Sequence, residues 1–306
     1  MNEHIPVLLT ETINKLNINP SGTYIDMTLG GGGHAEAILK ELTDGELIGF
    51  DQDEFAIQQA TAKLAKYPNF FAIRDNFINA KERLADINIF KVDGIIFDLG
   101  VSSFQFDLPE RGFSYRYNNE LDMRMNQNQT LSAKEIVNNF SYDELVKIFF
   151  NYGEEKYSRL IAKNIIIKRE EKPIETTFDL VDIIKDALPK KVLYKKGHPA
   201  KKVFQALRIA VNNELNILEV ALKKAIDLLK PKARLAVITF HSLEDRICKN
   251  VFKKLATIDI PKGLPIIPDE DPIITLVNKK VIIASENELK INNRAHSAKL
   301  RVIEKN

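Results

Sequence analysis

The sequence has little of what marks a secreted, disulfide-linked or membrane-spanning protein. Cys248 is its only cysteine, which excludes an internal disulfide framework and a cysteine-based metal cluster. It has no run of about 18 apolar residues, and residues 1–4 lack the basic start and the apolar stretch of a secretory signal. These absences predict a cytoplasmic protein without a membrane partner.

The sequence also lacks an excess of charge of either sign. Forty-four Lys and Arg stand against forty-two Asp and Glu, a net charge of +2, which by itself indicates no polyanionic partner. A hydrophobic fraction of 44% with 28% charged residues is ordinary for a globular protein and argues against disorder. The 306 residues therefore predict a packed core, in one large domain or two smaller ones.

The first hundred residues alternate short β-rich runs with helical patterns. This order is typical of a parallel sheet covered by helices on both faces, so it predicts an α/β, doubly wound fold. The candidate strands are 23–29, 47–50, 70–73 and 94–99, and the candidate helices are 34–42, 54–66 and 80–86.

The alternation stops in the middle of the chain. Residues 107–202 contain no apolar run that resembles a buried strand, which predicts an inserted helical domain within an α/β domain made of 1–106 and 203–306. The candidate helices of this insert are 131–139, 143–151, 158–168 and 178–187.

The α/β pattern returns after residue 203. Apolar residues at steps of three or four predict one long helix over 203–229, which Lys230 and Pro231 end. A fifth strand is expected over 235–240, and the runs 275–283 and 298–303 predict an antiparallel pair at the sheet edge.

A run of four glycines follows the first strand, in the segment 26–34. Glycines there let the backbone approach a ligand closely, and the helix that follows offers free N–H groups, so a nucleotide-type ligand is predicted. A tight turn without a ligand is the alternative. Asp51, after the second strand, fits the ribose hydroxyls of either NAD or S-adenosylmethionine.

Two features favour S-adenosylmethionine over NAD. The glycines are contiguous and do not follow the spacing of the dinucleotide fingerprint. Asp26 suits the positively charged amino-acid end of S-adenosylmethionine and would repel a pyrophosphate, although it could also cap nearby N–H groups. Further along, Phe77 is expected either to flank the adenine or to pack in the core, and Asp98 must find a partner.

Polar side chains after the fifth strand offer contacts for a target nucleotide. His241, Ser242 and Arg246 are the candidates, and an ion pair between Asp245 and Arg246 at the helix start is the alternative. The five histidines of the chain show no metal-ligand spacing, so no metal is expected.

A basic stretch at 185–202 holds seven lysines and one acid, with Tyr194 and His198 between them. This composition is typical of phosphate contacts and of stacking on an unpaired base, whereas a solvated loop is the alternative.

Several blocks of the sequence resemble the RsmH family, also called MraW, which methylates N4 of a cytidine in the decoding centre of 16S rRNA. The resemblance spans nearly the whole chain, with Ala35, Phe104, Phe106 and His296 standing where the family usually has other residues. The matching blocks are 26–34, 98–107, 110–114, 121–125, 152–155, 204–209, 240–246 and 297–301.

The resemblance implies a class I, Rossmann-like methyltransferase with the insert 107–202 recognising the substrate. It implies S-adenosylmethionine as cofactor and 16S rRNA or the small ribosomal subunit as partner, and it leaves a homodimer open. The implied cofactor contacts are Gly32, Gly33, His34, Asp51, Phe77, Asp98 and Gln105. The candidate RNA contacts are Ser102, Lys195, Lys196, His198, His241, Ser242 and Arg246, and Asp98 is the candidate catalytic residue.

Three other functions stay open on the residues alone. An NAD-dependent oxidoreductase is disfavoured by Asp26 and by the glycine spacing. A ribosome-assembly factor that binds without catalysis would keep the same fold. Methylation of DNA or of a small-molecule amine fits the same chemistry, and only the family-specific blocks select rRNA.

Overall fold

The fold is described from a computed structural model, which covers residues 5–194, 197–258 and 271–306. The chain forms two compact units, a sheet unit of residues 1–100 and 215–306 and a helical unit of residues 101–214. The helices are α1 (Leu9–Leu16), α2 (Gly33–Glu41), α3 (Glu54–Leu64), α4 (Ala80–Asp86), α5 (Ser103–Asp107), α6 (Ala133–Asn139), α7 (Tyr142–Asn151), α8 (Ser158–Glu171), α9 (Thr177–Ala187), α10 (Lys190–Leu193), α11 (Lys201–Asn212), α12 (Glu214–Leu228), α13 (Ser242–Leu255) and α14 (Glu286–Ile291).

The sheet unit contains one seven-stranded sheet in the order β3-β2-β1-β4-β5-β7-β6. The first five strands pair in parallel, and β7 runs antiparallel to both β5 and β6. The α/β doubly wound fold and its antiparallel edge are therefore confirmed. The strands are β1 (Thr23–Asp26), β2 (Glu46–Asp51), β3 (Phe70–Arg74), β4 (Val92–Asp98), β5 (Leu229–Thr239), β6 (Ile274–Leu276) and β7 (Lys299–Lys305).

Both faces of this sheet are covered, because successive strand residues point to opposite sides. On one face, Ile95 and Phe97 of β4 pack in a cluster that includes Leu84 of α4 and Leu222 of α12. On the other face, Ile96 belongs to a cluster formed with α1, α2 and α3. The alternation within β4 thus explains why a strand with so many apolar residues is buried on both sides.

Cys248 of α13 is fully buried in the first of these clusters. Burial raises the pKa of its thiol. Among the described helices, none combines the length and the apolar character that crossing a membrane requires.

The helical unit has a core of its own, built from α6 to α9 and α11. Its boundaries at 101 and 214 lie outside the predicted limits of 107 and 202, by six residues at one end and twelve at the other. The second difference arises because α11 packs its apolar face, including Val203, Phe204 and Leu207, in the helical core. The pattern after residue 203 therefore does not mark a return to the sheet.

The long helix predicted over 203–229 is wrong, since α11 and α12 are separate helices. Asn213 ends α11 in the left-handed region with φ 50°, and its N–H donates to carbonyls of the last turn. Asn tolerates this conformation better than most residues and serves as a helix C-cap. Lys230 and Pro231, expected to end the helix, lie within β5, which begins at Leu229 rather than at residue 235.

The late β-rich run 275–283 contributes to the short strand β6, and Ile282 pairs again with Leu300 of β7 in an isolated antiparallel bridge. The ladder stops because the side chain of Asn278 replaces a strand partner: its Oδ1 accepts from the N–H of Val302 at 2.7 Å. Its Nδ2 donates to the carbonyl of Leu300 at 3.1 Å. The amide side chain thus satisfies β7 where a longer β6 would have done so.

Candidate functional site

Three carboxylates stand at one edge of the sheet. Asp26, Asp51 and Asp98 end β1, β2 and β4, and these strands are neighbours that run in the same direction. The carboxyl ends of parallel strands meet at one edge, where ligands of such sheets bind. The structure therefore brings together the acidic residues that the sequence singled out.

Asp51 fixes the glycine loop that follows β1. Its Oδ2 accepts from the N–H of Gly30 at 2.9 Å, and its Oδ1 accepts from the N–H of Asp53 at 2.9 Å. Burial nevertheless raises the pKa of Asp51 to about 6. Each oxygen of a carboxylate keeps a further lone pair, so this side chain can anchor the loop and still accept from ligand hydroxyls.

The loop geometry explains two of the glycines. Gly32 has φ +71°, a conformation that side chains with a Cβ rarely adopt. A Cβ on Gly33 would lie 2.4 Å from Cγ of Pro6, far inside contact distance. Because α2 starts at Gly33, the first N–H groups of this helix have no partner within it and form a cradle for a ligand.

Asp26 is almost completely buried, with 2% of its surface exposed. Its Oδ1 accepts from the N–H of Thr28 at 3.0 Å, so the capping contact weighed from the sequence is present. Burial raises the pKa of Asp26 to about 7, against the opposing effect of the charge on His34. A carboxylate this costly to ionise would gain from a cationic partner.

His34 of α2 lies between two acceptors. Its Nε2 is 3.1 Å from the carbonyl oxygen of Val7, and its Nδ1 is 3.4 Å from Oδ2 of Asp98. Both nitrogens must carry a proton to satisfy both acceptors, which favours the imidazolium form. Burial lowers the pKa of His34, but the hydrogen bond and charge of Asp98, the charge of Asp26 and the Val7 carbonyl outweigh it and raise the pKa.

Asp98 presents one oxygen without a partner. Its Oδ2 faces His34, whereas its Oδ1 is buried and accepts no hydrogen bond from the part of the chain that the structure describes. Leaving a buried acceptor unpaired costs about 1–3 kcal/mol. The side chain is still 25% exposed as a whole, so a donor from a bound molecule can reach the carboxyl group.

Phe77 stands next to this edge, in a short 3-10 helix after β3. Its ring packs edge-on against Phe97 of β4, with centroids 5.4 Å apart. It is only partly buried and packs against the sheet core, so one part of the ring does the core packing considered as an alternative. The accessible remainder is what could flank an adenine.

His241 acts first as the N-cap of α13. Its Nδ1 accepts from the N–H of Glu244 at 3.4 Å, and Oε2 of Glu244 accepts from the N–H of Phe240 at 2.8 Å and of His241 at 3.2 Å. This is a capping box with histidine in the place of serine. Ser242 and Arg246 are exposed on the same helix.

Asp245 is paired with β7. Its carboxylate is 2.8 Å from Nε of Arg301 and 3.1 Å from Nζ of Lys299. Burial acts to raise the pKa of Asp245, but hydrogen bonds from Arg301 and Lys299 outweigh it and hold the pKa below its ordinary value. The ion pair considered at the helix start thus has its partners on a distant strand, and it joins the blocks 240–246 and 297–301.

In the helical unit, Gln105 is 96% buried, with an exposed fraction of 4%. It lies on α5, where its Oε1 accepts from the N–H of Ser102 at 3.1 Å. The segment that carries Gln105 is thus a short helix despite Phe104. Both residues belong to a capping box, in which Gln105 supports the helix start.

The basic stretch of the helical unit is only partly described, because Lys195 and Lys196 lie outside the described residues. His198 stacks on Tyr115 with centroids 4.2 Å apart, and its Nδ1 accepts from the N–H of Ala200 at 3.3 Å. Burial, with the charges of Lys185 and Arg116, lowers the pKa of His198. Tyr194 is 87% exposed.

Two buried polar residues of the helical unit were not singled out as functional from the sequence. Arg111 donates to the carbonyls of Arg124 and Met125 at 3.0 and 3.2 Å. Asn212 donates to the carbonyl of Met123 at 2.9 Å and accepts from the N–H of Met125 at 2.8 Å. The block 121–125 is therefore held in place through its backbone, by two side chains that are distant in the sequence. No local pattern could have revealed these contacts.

Comparison with known proteins gives one family match and several similar structures. The model of the MraW methylase family matches residues 1–306. A candidate rRNA methylase from Clostridium thermocellum is 15% identical, with a TM-score of 0.46 over 99% of this chain and 100% of that one. An rRNA methylase from Streptococcus thermophilus is 14% identical, with a TM-score of 0.40 over 97% and 92%. A candidate methyltransferase from Streptococcus mutans, solved with SAH, is 14% identical, with a TM-score of 0.44 over 99% and 100%.

Proposed function

Since this chain belongs to the MraW methylase family, we propose that it methylates N4 of a cytidine in the decoding centre of 16S rRNA. The cofactor is S-adenosylmethionine. The observation that carries the proposal is the buried acceptor on Asp98, which stands beside the glycine loop at the carboxyl edge of the sheet. An exocyclic amine is the kind of donor that this oxygen lacks.

The residues of the edge fit the cofactor. Asp26 supports the proposal because its buried carboxylate would take the cationic amino-acid end, and Asp51 would accept from the ribose hydroxyls. Gly32 permits the positive φ of the loop, and Gly33 lets Pro6 pack against the start of α2, so both shape the loop that would hold the cofactor. When bound, S-adenosylmethionine supplies a methyl group activated by its sulfonium.

The chain's own contribution to the reaction is chiefly positioning. The lone pair of the cytidine amine is delocalised into the ring, so the amine must be held in line with the methyl carbon, and such orientation supplies about 7–11 kcal/mol. As the N–C bond forms and the S–C bond breaks, the amine nitrogen becomes acidic. Oδ1 of Asp98, or a carbonyl within 99–102, accepts a hydrogen bond from the amine, and the proton that the nitrogen releases passes to the Asp98 carboxylate or to water.

Recognition of the RNA is assigned to the helical unit and to the start of α13. The target base must be unpaired to expose its amine. Tyr194 supports this assignment, because an exposed ring in a lysine-rich segment suits stacking on a splayed base. Lys195, Lys196, His198 and Ser102 from the helical unit and His241, Ser242 and Arg246 from the sheet unit are the proposed contacts.

The test is methyl transfer from labelled S-adenosylmethionine to unmodified small ribosomal subunits and to naked 16S rRNA, followed by mass spectrometry of the nucleosides. N4-methylcytidine on either substrate is the expected result. A label on another nucleoside would contradict the proposed site. No label, with binding of S-adenosylhomocysteine established separately, would favour the non-catalytic assembly factor.

A further inference from the structure

A cleft of about 160 Å³ lies in the sheet unit between α13 and the antiparallel strands β6 and β7. Phe252 and Val302, which are 2% and 1% exposed, form its floor, and Leu276, 36% exposed, stands at its rim. The cleft is separate from the carboxylates of the cofactor edge, none of which lines it.

Three lysines surround this apolar floor. Lys249 and Lys253 are one turn apart on α13, and Lys279 follows β6 on the opposite side. Within the described residues, none of the three ammonium groups makes an ion pair or a hydrogen bond, and no carboxylate lines the cleft. Three uncompensated cations around one cleft repel one another and attract an anion.

Several other lysines of the sheet unit have acidic partners. Lys66 lies 2.9 Å from Glu36, Lys224 lies 2.6 Å from Glu82, and Lys230 lies 2.7 Å from Asp93. The three cleft lysines have no such partner among the described residues, and they converge on one cleft whose lining holds no carboxylate. This clustering matches an anion that comes from outside the chain.

The cleft is also held in shape. Asn278, which precedes Lys279, bonds to the backbone of β7 through both its oxygen and its nitrogen. Arg301, a further cation of the lining, is fixed by Asp245 at 2.8 Å. A site that is already ordered loses less entropy on binding than a flexible one.

We infer that this cleft binds a single-stranded segment of the RNA substrate that flanks the target nucleotide. The inference rests on the proposed function for the identity of the polyanion. The lysines would contact phosphates, and Leu276, the exposed apolar residue of the lining, would contact a sugar or base. Proteins hold single strands by such a combination of a positively charged groove and contacts to the bases. With a rise of 1.5 Å per residue, Lys249 and Lys253 lie about 10 and 16 Å along α13 from its start at Ser242.

The chain offers a matched control, because each of two cleft lysines has a lysine as its neighbour. The Lys253→Gln/Lys279→Gln variant removes two charges from the cleft, and the Lys254→Gln/Lys280→Gln variant removes two exposed charges that do not line it. Both variants are made in the full chain. The readout is the dissociation constant for an unmodified 16S rRNA fragment containing the target, measured across salt concentrations.

Each phosphate contact to a single strand contributes about 0.7 to the slope of log affinity against log salt. We expect the cleft variant to lower this slope by about 1.4 and the control to lower it by less than half as much. Affinity for S-adenosylhomocysteine should match that of the wild type in both variants, which verifies that the sheet unit is folded.

Equal slopes for the cleft variant and its control would overturn the inference, since the effect would then come from the general field of the protein. Wild-type RNA affinity in the cleft variant, with weaker binding to whole small subunits, would overturn it in favour of an acidic protein surface. If the wild type methylates RNA but the cleft variant binds RNA with the affinity and salt dependence of the wild type, the inference alone fails. If the wild type transfers no methyl group to RNA, the proposed function fails first.

Discussion

Two carboxylates of the sheet unit are held in opposite ways. Asp26 ends β1 and is buried without a lysine or arginine partner among the described residues, so its pKa rises to about 7. Asp245 follows β5 and is paired with Arg301 and Lys299, which keep its pKa low. Asp245 is paired directly with two cations, whereas the charge of His34 near Asp26 does not offset the burial of that carboxylate.

The difference separates a binding residue from a structural one. A carboxylate that is paired with its own cations ties α13 to β7 and has little to gain from a ligand. A buried carboxylate without them pays an electrostatic cost that a cationic ligand can relieve. The pairing state of an acid at the sheet edge is therefore a better guide to its role than its position in the sequence.

Removing the acceptor at the ligand edge should have the largest effect. We expect Asp98→Ala to lower turnover by about 100-fold or more, within the range of positioned proton acceptors. Single-turnover methyl transfer at saturating cofactor is the measurement, with cofactor affinity determined in parallel. Full turnover with normal cofactor binding would eliminate Asp98 as the acceptor.

Neutralising Asp26 should weaken the cofactor and strengthen the fold. Asp26→Asn loses a charged contact of about 1.5–3 kcal/mol, or roughly 10- to 100-fold in affinity. Because burial raises the pKa of Asp26 in the folded protein, ionising this carboxylate lowers the free energy of unfolding, by an amount that grows as pH rises from about 4 to 7. Asp26→Asn removes this loss. Calorimetric binding of S-adenosylhomocysteine and the melting temperature at pH 8 test both effects. A lower melting temperature with unchanged cofactor affinity would show that Asp26 is a structural residue and not a binding one.

The same Asp→Asn substitution at Asp245, the structural acid, should destabilise the fold and leave cofactor binding unchanged. Asp245→Asn removes charge from bonds to Arg301 and Lys299, so we expect a loss of about 2 kcal/mol in the free energy of unfolding. Its lowered pKa means that this stabilisation is present above about pH 4 and disappears as pH falls further. Urea titration at pH 7 and pH 3 measures it. A strong loss of cofactor affinity in a folded variant would count against the structural role.

The pH dependence of cofactor binding should be the mildest effect. The ammonium group of S-adenosylhomocysteine favours ionised Asp26, so affinity for this ligand should rise about tenfold from pH 6 to pH 8 and then level off. Asp51, with a pKa of about 6, adds to the change at the lower end. Titrations across this range in wild type and Asp26→Asn decide the matter. The variant should keep only the smaller change at the lower end that Asp51 causes, and a rise as large as that of the wild type would assign the titration elsewhere.

The sequence predicted the parts of the fold that have local causes. Short β-rich runs located β1 to β4 and the second half of β5. The glycine run with Asp51 located the ligand edge because parallel strands end together. The helix α1 was not predicted: its eight residues follow Leu8, which lies in the left-handed region, and show no start signal. The break at Asn213 was not predicted either, because the apolar spacing continues across it.

The contacts that decide the chemistry depend on distant residues. His34 meets Val7 and Asp98, which lie 27 residues before it and 64 after it, so no spacing reveals that it is held between two acceptors. From the sequence, the neighbouring Arg246 was considered as an ion-pair partner of Asp245. In the structure Asp245 pairs with Lys299 and Arg301, which lie more than fifty residues away. Charge pairing of this kind is a property of the folded chain and not of local sequence.

The burial of Cys248 has a practical consequence for labelling. A thiol that is fully buried and reluctant to ionise reacts slowly with maleimides and disulfide reagents. Because it is the only cysteine of the chain, a second one introduced at an exposed position, such as Tyr194→Cys, would carry a fluorophore alone. The rate at which Cys248 itself reacts would then measure how often the sheet unit opens.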